Sequence, residues 1–408
     1  MIANWAGNVA FSSARFHHPS SVEQVQEIVA AAEHVRVLGS GHSFSPVADT
    51  TGDLLSLTAL PQVLHIVDNT VTISADTRYG ELVGPVDAAG LALPNTGSLP
   101  HIMVVGACAT GTHGSGNGNR ILATSVSTLE LVGADGELRT VRRGDPGFAG
   151  AAVALGALGV VTQLTLDLIP TFDVRQTVME GLRSFDDAPE ALAAAYSVSL
   201  VTYFEGRGFE QIWVKQRAED PPLPAGWLGT TPAGGPRHLV RGVDPASCTP
   251  QLGSVGPWFT RLPHFRLDFT PSSGNELQSE YLVPRVAVVD ALRALDAIRD
   301  RIAPVLQVAE VRTIAADDQW LSAAQGRDSA ALHFTWISDG NAVLPVVGAV
   351  EDALSDFDAR PHWGKVFTTP ADAVAKLWPH LPDFVAAART ADPGGKFRNE
   401  FLDRLVFG

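Results

Sequence analysis

A short hydrophobic run that ends in a glycine turn reads Val35-Arg36-Val37-Leu38-Gly39-Ser40-Gly41-His42-Ser43-Phe44. Its β-branched start predicts a strand, and its two glycines predict a tight turn after that strand. Glycine has no Cβ and tolerates positive φ, so the backbone at Gly39 and Gly41 can approach a phosphate or an aromatic ring closely. We expect His42 at the edge of such a ligand. On this stretch alone, a strand-to-loop turn with a surface histidine is an equal alternative, because short glycine motifs recur by chance.

The composition limits the classes of function. The chain has 408 residues, is 45% hydrophobic and 18% charged, and carries a net charge of -15. These values are typical of a folded soluble protein, and the negative charge disfavours nucleic acids and anionic membranes as partners. Cys108 and Cys248 are too few for a disulfide framework. The N-terminal residues do not have the pattern of a signal peptide, and the apolar run 149–161 is too short to cross a bilayer. We therefore expect a cytoplasmic protein.

Hydrophobic periodicity divides the chain into two regions. In the first region, which ends near residue 170, we predict a helix that begins at Ser20, with Glu23 at capping-box spacing. The region's other predicted elements are strands over 35–38, 71–75, 128–132, 137–141 and 160–168 and a helix over 79–89. The second region has predicted strands over 211–216, 265–270, 305–313 and 331–337, helices over 286–302 and 343–357, and a long loop over 218–257.

Residues 93–116 are rich in glycine, small side chains and hydroxyls. Such a composition cannot build a large apolar core, but it allows backbone to pack closely against a ligand. The alternative, a flexible linker, is disfavoured because the segment also contains Val104, Val105 and Cys108.

The second region supplies polar side chains at strand spacing. Glu310 and Arg312 fall on one face of a predicted strand, and His333 and Thr335 fall on one face of another. A third polar segment, 360–367, contains His362 and Lys365. Together they are suited to a wet cavity for a hydroxylated ligand, although Glu310 and Arg312 could also form an exposed ion pair.

Several common motifs are absent from the sequence. It contains no complete GxGxxG, no P-loop and no HExxH zinc signature. Residues 41–45 approach the GxSxG nucleophile elbow but end in Ser45 where the motif needs glycine. The sequence therefore gives only weak support for a hydrolase that uses Ser43 or Ser98 as its nucleophile. His101 and His113 have no carboxylate nearby at metal-ligand spacing, and we expect no metal site.

Taken together, the motifs closely resemble those of the alditol (xylitol) oxidases, which belong to the vanillyl-alcohol oxidase superfamily. The resemblance covers essentially the whole chain. It rests on residues 37–44, 93–95, 98–101, 109–116, 269–274, 361–365 and 395–397. It implies an α+β, two-domain fold of the vanillyl-alcohol-oxidase type. Small sheets with helices would form an FAD-binding domain over 1–170, an α/β cap domain with an antiparallel sheet would span 171–370, and a C-terminal segment, 371–408, would return to the FAD domain.

The resemblance also implies the cofactor and its contacts. FAD would be attached covalently through His42, whose neutral imidazole is a competent nucleophile. The backbone of Val161 would lie near the adenine. The other cofactor contacts implied are Gly39, Ser40, Gly41, Ser43, Ser98, Gly106, Thr110, Gly111, Thr112, His113 and His362.

The implied reaction is oxidation of the terminal primary alcohol of a polyol such as xylitol or sorbitol, by hydride transfer to flavin N5, with O2 reduced to hydrogen peroxide. The polyol would contact Ser98, Glu310, Arg312, Thr335 and Lys365. Catalytic roles are implied for Glu310, Arg312, His333 and Lys365, with His333 a candidate proton acceptor. Gly97 departs from the family, which has alanine there, and a small residue would leave oxygen a path to the flavin. A lactone oxidase or a dehydrogenase of the same superfamily is the alternative, and we expect a monomer.

Overall fold

The computed structural model describes residues 2–269 and 275–408 and has an α+β fold. The strands are β1 (Arg15–His17), β2 (Val35–Val37), β3 (Asp53–Leu55), β4 (Leu64–Val67), β5 (Thr70–Ser74), β6 (Leu91–Ala92), β7 (Val126–Val132), β8 (Leu138–Arg142), β9 (Val160–Asp167), β10 (Ile169–Pro170), β11 (Asp173–Leu182), β12 (Ser197–Thr202), β13 (Phe209–Arg217), β14 (Thr231–Pro232), β15 (Val255–Pro257), β16 (Glu276–Pro284), β17 (Leu306–Ile314), β18 (Ser329–Ile337) and β19 (Arg360–Pro361). The α-helices are α1 (Val22–Ala31), α2 (Tyr79–Ala88), α3 (Val104–Ala109), α4 (Ala188–Leu192), α5 (Val288–Asp296), α6 (Arg299–Ile302), α7 (Gly340–Leu354), α8 (Ala371–Leu377), α9 (Leu381–Ala391) and α10 (Glu400–Leu402).

The N-terminal part of the chain forms two small sheets, besides the two-stranded pairing of β6 with β10. One is parallel, with strand order β1-β3-β2, and the other is antiparallel, with order β4-β5-β9-β7-β8. The predicted β7–β8 hairpin is confirmed. Helix α1 is also confirmed, but its N-cap is Ser21 rather than Ser20, because the Ser21 hydroxyl accepts from the Gln24 amide.

A large, mainly antiparallel sheet follows, with strand order β14-β11-β13-β12-β17-β18-β16-β19 and β15 paired with β11. Its central strands alternate as the sequence predicts. Leu332, Phe334 and Trp336 of β18 face a buried apolar cluster, while His333 and Thr335 face the other way. Helices α5 and α7 pack on the apolar side. The polar side is therefore left to form a site.

Three predicted elements differ in the structure. The expected helix over 286–302 is broken into α5 and α6, because Ile298 leaves helical geometry with φ -112° and ψ 15°. The strand expected over 265–270 is wrong over its described residues, since Phe265 makes only an isolated bridge with Cys248. The loop expected over 218–257 contains the short strands β14 and β15. Most of the 269–274 motif lies outside the described residues.

The C-terminal residues pack against the N-terminal sheets. The Lys396 carbonyl accepts from the Val35 amide at 2.9 Å, and the Asn399 side chain donates to the carbonyls of Pro46, Val47 and Asp49. These contacts agree with a returning tail, while the exact domain boundaries stay a prediction. No helix within the described ranges is long and apolar enough to cross a bilayer.

Candidate active site

One large cavity lies between the glycine turn after β2 and the polar face of the large sheet. Its volume of about 590 Å³ is in the range of ligand pockets, roughly 300–1,000 Å³. The cavity brings together nearly all of the residues singled out in the sequence. Those that line it are Gly39, Ser40, Gly41, His42, Ser43, Gly97, Ser98, Gly106, Thr110, Thr112, His113, Val161, Glu310, Arg312, His333, Thr335, His362 and Lys365.

Gly111 does not line the cavity. It ends the helix α3 instead. Its φ is +75°, and its amide donates to the Cys108 carbonyl at 3.1 Å, while the Thr112 amide donates to the Ala107 carbonyl at 2.9 Å. This pair of bonds is the Schellman arrangement that terminates a helix at a left-handed glycine. Gly111 thus turns the chain so that Thr112 and His113 enter the cavity.

The glycine turn after β2 adopts the tight geometry that its sequence predicts. Gly41 has φ +71°, and a Cβ there would lie 3.5 Å from the backbone nitrogen of Trp5. The Ser40 hydroxyl accepts from the Met103 amide at 3.3 Å, which joins the turn to the start of α3. Gly106 of α3 lines the same cavity, and a Cβ on it would meet no atom within 4 Å.

His42 projects from this turn as a neutral imidazole. Burial, with the nearby charge of Lys365, lowers the pKa of His42 to about 4. Its ring packs on Trp5 with 4.9 Å between the centroids. A neutral ring that lines the cavity is the form of histidine that can act as a nucleophile or as a ligand.

The polar face of the large sheet presents a row of ionisable groups across three strands. In the β16-β18-β17 register, Glu280 lies opposite His333, and His333 lies opposite Glu310. Residues directly opposite each other point to the same face. Arg312 Nη2 donates to Glu280 Oε1 at 2.6 Å, and its Nη1 lies 3.4 Å from the Ser98 hydroxyl.

Glu280 is the central carboxylate of this cluster. His113 Nε2 and His333 Nδ1 lie 3.3 and 3.5 Å from its Oε1. Burial alone would raise the pKa of the Glu280 carboxyl, but the neighbouring cation of Arg312 and the two imidazoles hold it well below its usual range. Conversely, burial lowers the pKa of His333. At neutral pH the site therefore holds an ionised carboxylate beside the neutral imidazole of His333.

His362 and Lys365 follow the edge strand β19, which pairs with β16, and the His362 amide donates to the Glu280 carbonyl at 2.9 Å. Burial lowers the pKa of Lys365 to about 8, and its ammonium donates to the Gln278 side-chain oxygen and lies 5.0 Å from the centre of the Phe44 ring. Burial lowers the pKa of His362 to about 3. Its Nδ1 accepts from the Gly364 amide at 3.1 Å, so the proton of the neutral ring is on Nε2.

Sequence reasoning missed four residues of this site. Glu280 and Gln278 lie on β16, and the spacing Glu276, Gln278, Glu280 is the period-two signal that would have found them. Trp5 and Asp76 carry no such signal. Asp76 lines the cavity near β9, and its Oδ1 is buried with no hydrogen-bond partner.

The cavity fits FAD on the chemistry of its walls. One end is lined by glycines and hydroxyls beside the backbone of Val161, where a nucleotide's phosphates and adenine can be held closely. The other end carries the neutral imidazole of His42 and the cation of Lys365. The orphaned Asp76 Oδ1 is an acceptor suited to a ribose hydroxyl or an adenine amine.

Comparisons with known proteins agree with this geometry. A model of an FAD binding domain matches residues 13–142, and a model of D-arabinono-1,4-lactone oxidase matches residues 274–405. Alditol oxidase from a Streptomyces species is 50% identical over 100% of this chain and 99% of its own length. L-gulono-1,4-lactone dehydrogenase from Mycobacterium tuberculosis is 29% identical over 99% and 98% of the two chains.

The fold has known counterparts among solved structures. The crystal structure of cholesterol oxidase from B. sterolicum superposes with a TM-score of 0.79 over 99% of this chain and 96% of that chain, at 14% identity. That identity supports the fold alone. With the FAD-binding match and the identity to alditol oxidase, the chain belongs to the alditol oxidase family of FAD-dependent oxidoreductases, within the vanillyl-alcohol oxidase superfamily.

Proposed function

We propose that this protein is an alditol oxidase, which oxidises the terminal primary alcohol of polyols such as xylitol and sorbitol to the aldose and reduces O2 to hydrogen peroxide. The observation that carries the proposal is the row Glu280, His333 and Glu310, with Arg312 beside it, on the cavity wall that faces the His42 turn. Buried charged groups at hydrogen-bonding spacing recognise hydroxyl groups, and an apolar substrate would leave them unpaired.

FAD is the group that accepts the hydride in this chemistry. We assign its binding to the residues of the glycine turn, the 97–113 segment and Val161, and its covalent attachment to His42. The neutral imidazole of His42 supports this assignment, because it leaves a ring nitrogen free of a proton. A tether at His42 would retain the cofactor in the cavity.

The protein's own residues would orient the polyol and take its proton. Glu310 and Thr335 accept or exchange hydrogen bonds with hydroxyls, while Arg312 and Lys365 stabilise negative charge on the alkoxide oxygen. We assign the hydroxyl proton to His333. The imidazolium formed there would lie 3.5 Å from the Glu280 carboxylate, which would compensate its charge.

The decisive experiment is an absorption spectrum of the purified protein before and after acid precipitation, followed by anaerobic addition of xylitol. Colour that stays with the precipitate, together with bleaching by xylitol, would support both the His42 attachment and the polyol reaction. Colour in the supernatant would overturn the attachment alone. A colourless protein that does not bind FAD would overturn the whole proposal.

The lactone-oxidase match over residues 274–405 supports a second candidate, oxidation of a sugar lactone. Steady-state kinetics with xylitol, sorbitol and L-gulono-1,4-lactone would separate the two substrate classes. Turnover with O2 compared with an artificial dye would separate an oxidase from a dehydrogenase. We expect the polyols and O2 to be preferred.

We also propose that the protein acts as a cytoplasmic monomer. Both cysteines are free and buried, as suits a reducing compartment, and the net charge of -15 gives no basic surface for a nucleic acid. Gel filtration of the holoenzyme and fractionation of the source cells would test these two statements.

A further inference from the structure

A buried lysine lies behind the cavity wall and is not part of it. Lys215 is on β13 and is only 2% exposed. Its ammonium has three acceptors, the carbonyls of Leu262 and Pro263 and, at 3.3 Å, the Nδ1 atom of His264. Three acceptors match the three N–H donors of a lysine ammonium, and burial lowers the pKa of Lys215 to about 7. The hydrogen-bonding capacity of the Lys215 side chain is therefore satisfied within the protein.

These contacts fix the protonation of His264. The ionised carboxylate of Glu310 can only accept, so the proton of the neutral ring is on Nε2, and Nδ1 is left as an acceptor for Lys215. Nε2 lies 2.8 Å from Glu310 Oε1 and so donates to it. Burial, with the charge of Lys215, lowers the pKa of His264 to about 4, in keeping with a neutral ring. The hydrogen bonds thus run in one direction, from Lys215 through His264 to Glu310.

Packing holds the imidazole in this position. The edge of the His264 ring meets Trp213, with 5.0 Å between the centroids, and Thr249 binds the backbone on either side of the ring. Trp213 and Lys215 are two residues apart on β13 and share a face, so one strand supplies both supports.

We propose that Lys215 and His264 are positioning residues that hold the Glu310 carboxylate ionised and fixed, with Oε1 occupied by His264 and the carboxylate presented to a substrate hydroxyl. The proposal rests on the proposed function, in which Glu310 binds the polyol. Neither Lys215 nor His264 lines the cavity, so neither can touch the substrate directly.

Other charges around Glu310 act on the same carboxyl. Arg312 on its own strand has Nε 3.7 Å from Oε1, His333 faces it from β18, and Lys365 interacts with it electrostatically. Loss of the His264 donor would leave these groups in place. The carboxylate would lose one hydrogen bond and its orientation, and the pKa of Glu310 would rise.

The test compares two substitutions of His264 and one of Lys215 in the holoenzyme. His264→Leu removes the donor, while His264→Gln keeps an N–H near the position of Nε2. Lys215→Met keeps the length of the side chain without its donors. Tyr281→Phe is the matched control, because it removes a hydroxyl bond to Glu351 on the opposite side of the sheet without touching Lys215, His264 or Glu310.

We expect His264→Leu to raise the KM for xylitol by roughly tenfold to a hundredfold, the range of a lost hydrogen bond to a charged group, with a smaller fall in kcat. The acid limb of the kcat/KM profile should move to higher pH. His264→Gln should restore most of the KM, and Lys215→Met should act in the direction of His264→Leu. Reoxidation of the dithionite-reduced enzyme by O2 should be unchanged in all variants.

Three results would overturn the proposal. One is an unchanged KM and acid limb in a folded His264→Leu enzyme, another is equal damage from His264→Gln and His264→Leu, and the third is the same KM change in Tyr281→Phe. Failure of the wild-type holoenzyme to oxidise any polyol would instead overturn the proposed function, so the two failures are distinguishable.

Discussion

At the scale of single residues, Glu280 neutralises the cation of Arg312 inside the cavity wall. Glu280→Gln keeps the shape but removes the charge that Arg312 meets at 2.6 Å. Removal of one partner of a buried ion pair costs about 3–5 kcal/mol. We expect a lower unfolding midpoint and a loss of turnover with xylitol, measured by calorimetry and by hydrogen peroxide release. Tyr281→Phe, on the opposite face of β16, should lower stability only; equal loss of turnover in that variant would contradict the assignment.

Lys365 should make the activity of the enzyme depend on pH in the alkaline range. Its pKa of about 8 means that the ammonium loses its proton, and its positive charge, as pH rises through that value. We expect kcat/KM for xylitol to fall above pH 8, because an uncharged amine no longer stabilises the alkoxide. Lys365→Arg should move this limb to higher pH, since arginine stays charged. A profile in Lys365→Arg that is the same as in the wild type would assign the limb to another group.

Gly97 borders the cavity with room for one methyl group. An added Cβ would lie 3.6 Å from Thr112 Cγ2 and 3.9 Å from Ile102 Cδ1, which are ordinary contacts. Gly97→Ala should therefore fold normally but narrow the cavity, and we expect reoxidation of the reduced enzyme by O2 to slow severalfold. Stopped-flow reoxidation measures this, and reduction by xylitol serves as the internal control. Equal slowing of both half-reactions would point to a general distortion.

Much of this site could be predicted from the sequence because its motifs are local. The glycine turn with His42, the pair Glu310 and Arg312, and His333 with Thr335 could each be read from short stretches. The alternation along β16 could have indicated Glu280, but neither its partners nor the role of His264 could be read from one stretch, because both depend on which strand lies beside which. The register that places Glu280 opposite His333 is set by the strand order, which no single stretch contains.

At the scale of elements, the short helix α3 uses two glycines for different purposes. Gly111 ends the helix at φ +75°, where alanine costs about 1–2 kcal/mol. Gly106 faces the cavity, where a Cβ meets open space in the protein alone. We expect Gly111→Ala to lower the free energy of unfolding with little change in the KM for xylitol. Gly106→Ala should leave the stability of the apoprotein intact but lower the fraction of protein that incorporates FAD, measured by flavin content after denaturation. The reverse pattern would contradict both assignments.

Elements with strong periodicity were predicted well, and those governed by distant contacts were not. Alternation along β18 gave both its extent and its buried face. The segment 286–302 has a helical pattern throughout, yet it breaks at Ile298 into α5 and α6, which its periodicity does not indicate.

At the scale of the whole molecule, Arg36 joins segments that are far apart in sequence. Its buried guanidinium donates to the carbonyls of Val47, Leu155, Gly156 and Phe397. Arg36→Met would leave these acceptors unpaired, at about 1–3 kcal/mol each. We expect a holoenzyme that unfolds at a much lower denaturant concentration. Lys396→Met, which removes bonds only to Val29 and Ala30, should have a smaller effect; an equal effect would show that the tail, rather than Arg36, carries the stability.

The contacts of Arg36 also determine when this part of the fold can be completed while the chain is synthesised on the ribosome. Val47 and Leu155 are synthesised early, but Phe397 follows Leu155 by 242 residues, the difference between their numbers. At about 5–20 residues per second, this interval is about 12 to 48 s. Throughout it, the guanidinium lacks one of its carbonyl partners and the floor of the cavity lacks the Phe397 ring. We therefore expect capture of the flavin to be a late event in biogenesis, which follows synthesis of the last segment rather than of the first 170 residues.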